Sequence, residues 1–201
     1  MSNSDWKLGE RVGQQWGSLG AHLSTKGPFN IYFPQGSTTS PYYAEVASDI
    51  SRNLFQYFAA DSEISSNLFS PNTTVGNSIF IGFPEDLGVS LSDIGREFPI
   101  SKSKAAVFLR DTSGYRRRYQ IEPGMGLIYL YPLPEGGLGI VLWGADEVGL
   151  RSAARLLPLR TGVGQPDFVL LGREAGWSGV GGVRAMGMFD FSWNISSGAY
   201  V

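Results

Sequence analysis

Apolar residues recur with two different periods along this chain, and the alternation of the two periods predicts an α/β fold. Short apolar runs rich in aromatic and β-branched side chains are typical of buried strands. Such runs cover 29–33, 78–83, 127–133, 138–143 and 167–171. Helical spacing of apolar residues marks 41–60 and 147–157, and more weakly 10–24, where glycines interrupt the pattern.

The stretch 138–171 has the clearest organisation, because strand, turn, helix and strand follow one another within it. Asp146 is suited to cap the helix and Glu147 lies in its first turn. Strand–helix–strand units of this kind form parallel sheets with right-handed crossovers. The segments 29–33, 41–60 and 78–83 repeat the arrangement.

A β-hairpin is predicted between these units, because strand-like segments at 105–110 and 115–121 flank a turn that ends at Gly114. Residues 61–77 are predicted as a loop, 87–94 as a helical turn capped by Ser90, and the tail near 180–188 as a short helix. The predicted fold is a mixed, mainly parallel sheet with helices on both faces and an inserted β-hairpin. We expect one α/β domain over 1–201, with a core at 27–195 and an N-terminal extension or helix at 1–26.

Composition excludes several classes of function. The chain has 201 residues, a formal net charge of −2 and no cysteine. Disulfides, thiolate catalysis and cysteine-based metal sites are therefore excluded, and no basic field predicts a nucleic-acid partner. No apolar run reaches the ~18 residues of a membrane span, and the N-terminus has no signal-peptide pattern. Taken literally, the chain is then cytoplasmic or a fragment.

Catalytic chemistry finds little support in the residues. His22 is the single histidine, so a Ser–His–Asp triad would have to use it. Ser178 lies in Gly-Trp-Ser-Gly-Val, where valine replaces the last glycine of a nucleophile elbow. The glycine-rich segment 176–182 lacks the Lys-Ser/Thr of a phosphate loop, and the carboxylates lack calcium-loop spacing. We expect no metal, no cofactor and no enzyme activity.

The loops beside the strand 167–171 are the better candidates for binding. The candidate binding residues are Thr161, Gly164, Gln165, Asp167, Trp177 and Ser178. Trp143, Trp177 and Trp193 are candidates for a sugar-stacking platform. Asn72 and Asn194 begin N-glycosylation sequons.

One set of motifs resembles a known family. The residues that carry it are Trp143-Gly144-x-Asp146, Arg155-Leu-x-Pro158, Thr161-Gly162 and Gly164-Gln-Pro-Asp-Phe168. They resemble the C-terminal region of large secreted fungal proteins that carry a prolyl-oligopeptidase-like, α/β-hydrolase-type part. The resemblance covers about 27–195 and implies an extracellular location. It also implies a nucleophile in a hydrolase part that this chain lacks, so no family catalytic residue is assigned here.

These observations together predict a non-catalytic accessory or interaction domain. Its implied partner is a peptidase-like α/β-hydrolase domain, in cis or in trans, with no nucleic acid and no membrane. Two alternatives remain open: a small hydrolase or phosphate-ligand enzyme that uses segment 176–182 with His22, and a carbohydrate-binding module that uses exposed aromatics. The ligand and the oligomeric state stay undetermined at this stage.

Overall fold

Ten strands and three α-helices form the described part of the chain. The computed structural model describes residues 10–15, 17–24, 29–34, 40–66, 77–87, 98–133, 137–157 and 165–201. The strands are β1 (Phe29–Tyr32), β2 (Ser62–Ser65), β3 (Asn77–Ile81), β4 (Ile100–Lys102), β5 (Ala106–Arg110), β6 (Arg116–Gln120), β7 (Gly126–Pro132), β8 (Leu138–Gly144), β9 (Phe168–Leu171) and β10 (Val183–Gly187). The helices are α1 (Ser40–Phe58), α2 (Glu147–Ala154) and α3 (Ala175–Ser178).

Seven of these strands make one mixed sheet in the order β10-β9-β7-β8-β3-β1-β2. Strands β2, β1, β3 and β8 pair in parallel. Strand β7 runs antiparallel to both of its neighbours, and β10 runs antiparallel to β9. The remaining strands form a small antiparallel sheet, β4-β5-β6. The predicted mixed α/β class and the inserted hairpin are confirmed, and β4 extends that hairpin to a third strand.

The unit β8–α2–β9 differs from expectation in its pairing. Strands β8 and β9 run in the same direction but do not touch, because β7 lies between them. Strand β7 pairs with β8 along its full length. Local sequence does not distinguish this arrangement from adjacent parallel strands, since all three segments are apolar runs.

Each long helix is positioned by local chemistry. Helix α1 turns Val46, Ile50 and Leu54 into the core, as their spacing predicts. Helix α2 begins at Asp146, whose Oδ1 accepts a hydrogen bond from the Gly149 amide at 2.9 Å. The other carboxylate oxygen, Oδ2, accepts from the Gly124 amide at 2.8 Å and ties the cap to the turn before β7.

The sheet separates two different layers. Helices α1 and α2 contact each other and share one face of the sheet. On the opposite face, the Phe98 ring lies between aromatic rings of β7 and of the C-terminal segment. Its centroid is 5.6 Å from Tyr129, 5.2 Å from Tyr131 and 5.4 Å from Phe189. Offset and edge-to-face ring pairs of this kind stabilise a core beyond their buried area.

Three predictions of local structure are wrong. The helix expected at 10–24 is replaced by two short 3₁₀ segments, Gly13–Gln15 and Leu19–Ser24, because the glycines disfavour a continuous α-helix. The loop expected at 61–77 contains edge strand β2. The helix expected near 180–188 is mainly β10, which pairs with β9. The helical turn expected at 87–94 falls at 88–94 outside the described residues.

Candidate functional site

The predicted binding residues lie at opposite ends of β9. Gln165 and Asp167 precede this strand, whereas Trp177 and Ser178 follow it. A strand of four residues spans about 13 Å. The two loops therefore lie at opposite ends of the strand and do not form a common site. Thr161 and Gly164 lie outside the described residues.

Asp167 is fully buried and joins the two ends of the chain. Its Oδ2 accepts a hydrogen bond from Arg11 Nη2 at 2.9 Å and another from the Phe189 amide at 2.7 Å. The Arg11 guanidinium also lies 4.5 Å from the centroid of the Trp193 ring, a cation–π contact. We call this arrangement the Arg11 clamp, comprising Arg11, Asp167, Phe189 and Trp193.

The electrostatics of the clamp indicate a structural role for Asp167. Burial raises the pKa of its carboxyl, and the nearby Arg11 charge and the Phe189 amide oppose that shift. The side chain is closed off from solvent and already paired, so it is unsuited to ligand binding. Sequence reasoning missed Arg11 because an isolated arginine in a weakly patterned segment gives no signal of burial.

His22 and Ser178 do not form a catalytic pair. His22 is 1% exposed, and its ring centroid lies 5.1 Å from that of Phe29 on β1. Ser178 is exposed at the far end of the sheet, after β9. Four strand spacings separate β1 from β9, or about 19 Å. Burial also lowers the pKa of His22 to about 3.

Residues 175–182 form a projecting element, which we call the Trp177 turn. Trp177 is 70% exposed and Val180 is 78% exposed. The Glu174 carbonyl accepts hydrogen bonds from the amides of both Trp177 and Ser178, at 3.1 and 2.8 Å. These contacts fix the backbone of the turn, from which the large aromatic side chain of Trp177 extends outside the core.

One glycine of this turn, Gly182, is required by close packing. A Cβ added at Gly182 would lie 2.2 Å from the Ala175 amide nitrogen. The Gly182 carbonyl accepts a hydrogen bond from the Gly172 amide at 2.8 Å and closes the turn. Helix α3 has four residues, too short to align several free amides on an anion. Close packing therefore explains Gly182 without a phosphate, and α3 is too short to offer a phosphate site.

The tryptophans predicted as a sugar platform are mostly buried. Trp143 is 7% exposed and Trp193 is 5% exposed, which leaves Trp177 as the exposed ring among the three. No pair of coplanar exposed tryptophan faces is present in the described part of the chain.

Asn194, the first residue of a sequon, hydrogen-bonds to Asp190 within the fold. Its amide Nδ2 donates to Asp190 Oδ2 at 3.2 Å, and its backbone amide donates to Asp190 Oδ1 at 2.9 Å. The next residue, Ile195, is buried. Attachment of a glycan would change the donor atom Nδ2 that contacts Asp190. Asn72 lies outside the described residues.

Metal and membrane sites find no support in the described ranges. Within them, no three His, Asp or Glu side chains gather at metal-binding distance. None of the helices described is long and apolar enough to cross a bilayer.

Comparison with known proteins gives one informative likeness. No protein-family model matches the chain. It is 36% identical over 203 residues to an "Uncharacterized secreted protein" of the fungus Arthroderma benhamiae. The similarity covers 98% of this chain but 21% of that protein. The chain thus spans about a fifth of the length of the secreted fungal protein that it resembles.

Proposed function

We propose that this chain is a non-catalytic interaction domain of a secreted fungal system, which docks through the Trp177 turn. The observation that carries the proposal is the strong exposure of Trp177 and Val180 on a hydrogen-bonded turn. Tryptophan is enriched among the residues that dominate binding energy at protein interfaces. Covering such a side chain contributes a few kcal/mol, about 25 cal/mol per Å² of apolar surface. An unbound domain gains nothing from displaying it.

The partner that we propose is the remainder of a longer chain like the Arthroderma benhamiae protein, of which this chain matches 21%. The motifs around Trp143 and Gly164 resemble a region that accompanies a peptidase-like α/β-hydrolase part. We therefore assign the hydrolytic chemistry to that part, outside this chain, and an extracellular location to the complex. The wide separation of His22 from Ser178 favours this division of labour.

A binding experiment tests the docking role. The remaining four-fifths or so of the Arthroderma benhamiae protein is expressed as a separate polypeptide and titrated with this chain in a calorimeter. We expect a complex that Trp177→Ser with Val180→Ser weakens by about thirtyfold, the effect typical of a hot-spot residue. Tyr115→Ser is the matched control, because Tyr115 is also strongly exposed but lies at the β5–β6 hairpin.

The corresponding region of the Arthroderma benhamiae protein serves as the positive control. The proposal fails if this chain does not bind, or if the Tyr115 variant loses as much affinity as the Trp177 variant. Assays with peptide and ester substrates test the catalytic assignment. Hydrolysis by this chain alone that disappears in Ser178→Ala would contradict it. An inactive partner would remove the peptidase assignment and leave the docking role standing.

A further inference from the structure

A groove runs between α1 and α2 on the helical face of the sheet. Its volume is about 320 Å³, within the range of small-ligand pockets. Buried Val46 and Ile50, with half-buried Ala154, supply its apolar surface. The polar lining comes from Asp49, Asn53, Arg151 and Arg155. This combination suits a small molecule with one apolar and one charged part.

The positive charge of one groove arginine, Arg151, is compensated by nearby carboxylates. Arg151 Nε lies 2.8 Å from Glu147, Nη2 lies 2.6 Å from Glu45, and Nη1 lies 3.5 Å from Asp49. The pairs with Glu45 and Asp49 bridge the two helices at one end of the groove, and the pair with Glu147 lies within α2. Arg151 is therefore occupied by the protein itself.

Arg155 lies one helical turn after Arg151, and its positive charge has no such carboxylate partner among the described residues. Helices α1 and α2 follow the parallel strands β1 and β8, so they run in the same direction. Four residues beyond Asp49 and Arg151 come Asn53 and Arg155, which face the same groove. An amide occupies the position where the preceding turn has a carboxylate. No carboxylate among the described residues lies within ion-pair distance of Arg155.

We propose that the groove binds a small monocarboxylate. The carboxylate pairs with Arg155 and Asn53, and a short apolar chain lies over Val46, Ile50 and Ala154. Arginine and amide N–H groups are natural donors to a carboxylate. Arg155 also caps the C-terminus of α2, where the helix dipole disfavours negative charge. This opposition favours a single charge over a dianion such as phosphate.

Titration of ¹⁵N-labelled protein with hexanoate, at neutral pH and constant ionic strength, tests the site. We expect saturable chemical-shift changes at the amides of Asn53 and Arg155. Arg155→Gln weakens binding about tenfold or more, since a charge-assisted hydrogen bond is lost. Arg118→Gln, on exposed strand β6, is the matched control and leaves the affinity unchanged.

A second variant places a carboxylate of the protein where the carboxylate of the ligand is proposed to bind. Asn53→Asp is expected to pair with Arg155, to raise the melting temperature and to weaken hexanoate binding about as much as Arg155→Gln. Hexanol replaces hexanoate in a parallel titration and should not saturate the site. Equal binding of hexanol, unchanged affinity in Arg155→Gln, or the absence of saturable shifts would each overturn the proposal. The proposal is independent of the Trp177 turn.

Discussion

Arg11 and Asp167 form an ion pair that is buried in the folded protein. Their side chains are 5% and 0% exposed, so each one depends on the other for compensation. Arg11 Nε and Asp167 Oδ1 have no hydrogen-bond partner among the described residues. Buried ion pairs of this kind contribute little net stability when intact but are costly to break.

We expect Arg11→Ala to lower the free energy of unfolding by about 3–5 kcal/mol, because it leaves the Asp167 carboxyl buried and unpaired. Urea denaturation measures the change. Arg52→Ala is the matched control, since the Arg52–Asp49 pair is exposed and exposed pairs contribute little. The apolar double variant Arg11→Met with Asp167→Leu should recover part of the loss. Equal effects of Arg11→Ala and Arg52→Ala would refute the role of the clamp.

His22 makes stability depend on pH. Burial lowers the pKa of His22 to about 3 in the folded protein, against about 6.5 in an unfolded chain. Between these values the unfolded state binds more protons, so the free energy of unfolding rises with pH, by at most about 1.4 kcal/mol per pH unit. His22→Leu should flatten this rise. Urea denaturation of both proteins at several values between pH 4 and pH 7 provides the comparison.

Asp167 acts in the opposite sense over the acid range. Burial raises its pKa in the folded protein, so its contribution to stability falls as the pH rises from about 4 through the folded value. This contribution is common to the wild type and to His22→Leu, and it cancels in the difference between them. A pH dependence that is identical in the two proteins would show that His22 is not buried as a neutral ring.

At the scale of elements, the closest contact is that of α2 with the turn before β7. A Cβ added at Gly149 would lie 1.9 Å from the Met125 carbonyl oxygen. We expect Gly149→Ala to force the helix away from the sheet and to lower stability by about 1–3 kcal/mol, measured by thermal denaturation. Gly176→Ala is the control, because open space surrounds that position. Similar melting temperatures for the two variants would contradict this packing.

Apart from the exposed strand β6 of the hairpin, the elements that sequence predicted correctly are the buried ones. Helix α1 has a clear apolar period, whereas strands β7 and β8 are continuous apolar runs, because the core determines which of their positions are apolar. The missed strands β2 and β10 form the two edges of the large sheet. Their sequences, Ser-Glu-Ile-Ser and Val-Arg-Ala-Met-Gly, mix polar and apolar residues because one side of each strand meets solvent.

The candidate site was predictable only in part. The sequence predicts Trp177 as a candidate because it lies in a loop beside the strand 167–171. Its exposure depends on how the Trp177 turn closes on Gly172, which is a tertiary contact. The groove escaped prediction altogether, since Asn53 and Arg155 are far apart in sequence and meet through the parallel alignment of two helices.

At the scale of the molecule, the order of the strands is what the sequence does not reveal. Strands β7, β8 and β9 are similar apolar runs, and the insertion of β7 between the other two follows from their combined pairing. The Arg11 clamp belongs to the same scale, because its partners lie 156 residues apart along the chain. Contacts of such separation carry no local signature.

That separation matters during synthesis of the protein on the ribosome. At a synthesis rate of about 5–20 residues per second, Asp167 is made roughly eight to thirty seconds after Arg11. Phe189 and Trp193, which complete the Arg11 clamp, come later still. For all of that time the N-terminal segment has no charge partner from the clamp. The segment that holds Phe189 and Trp193 is therefore made well after Arg11 and completes the contacts of its side chain.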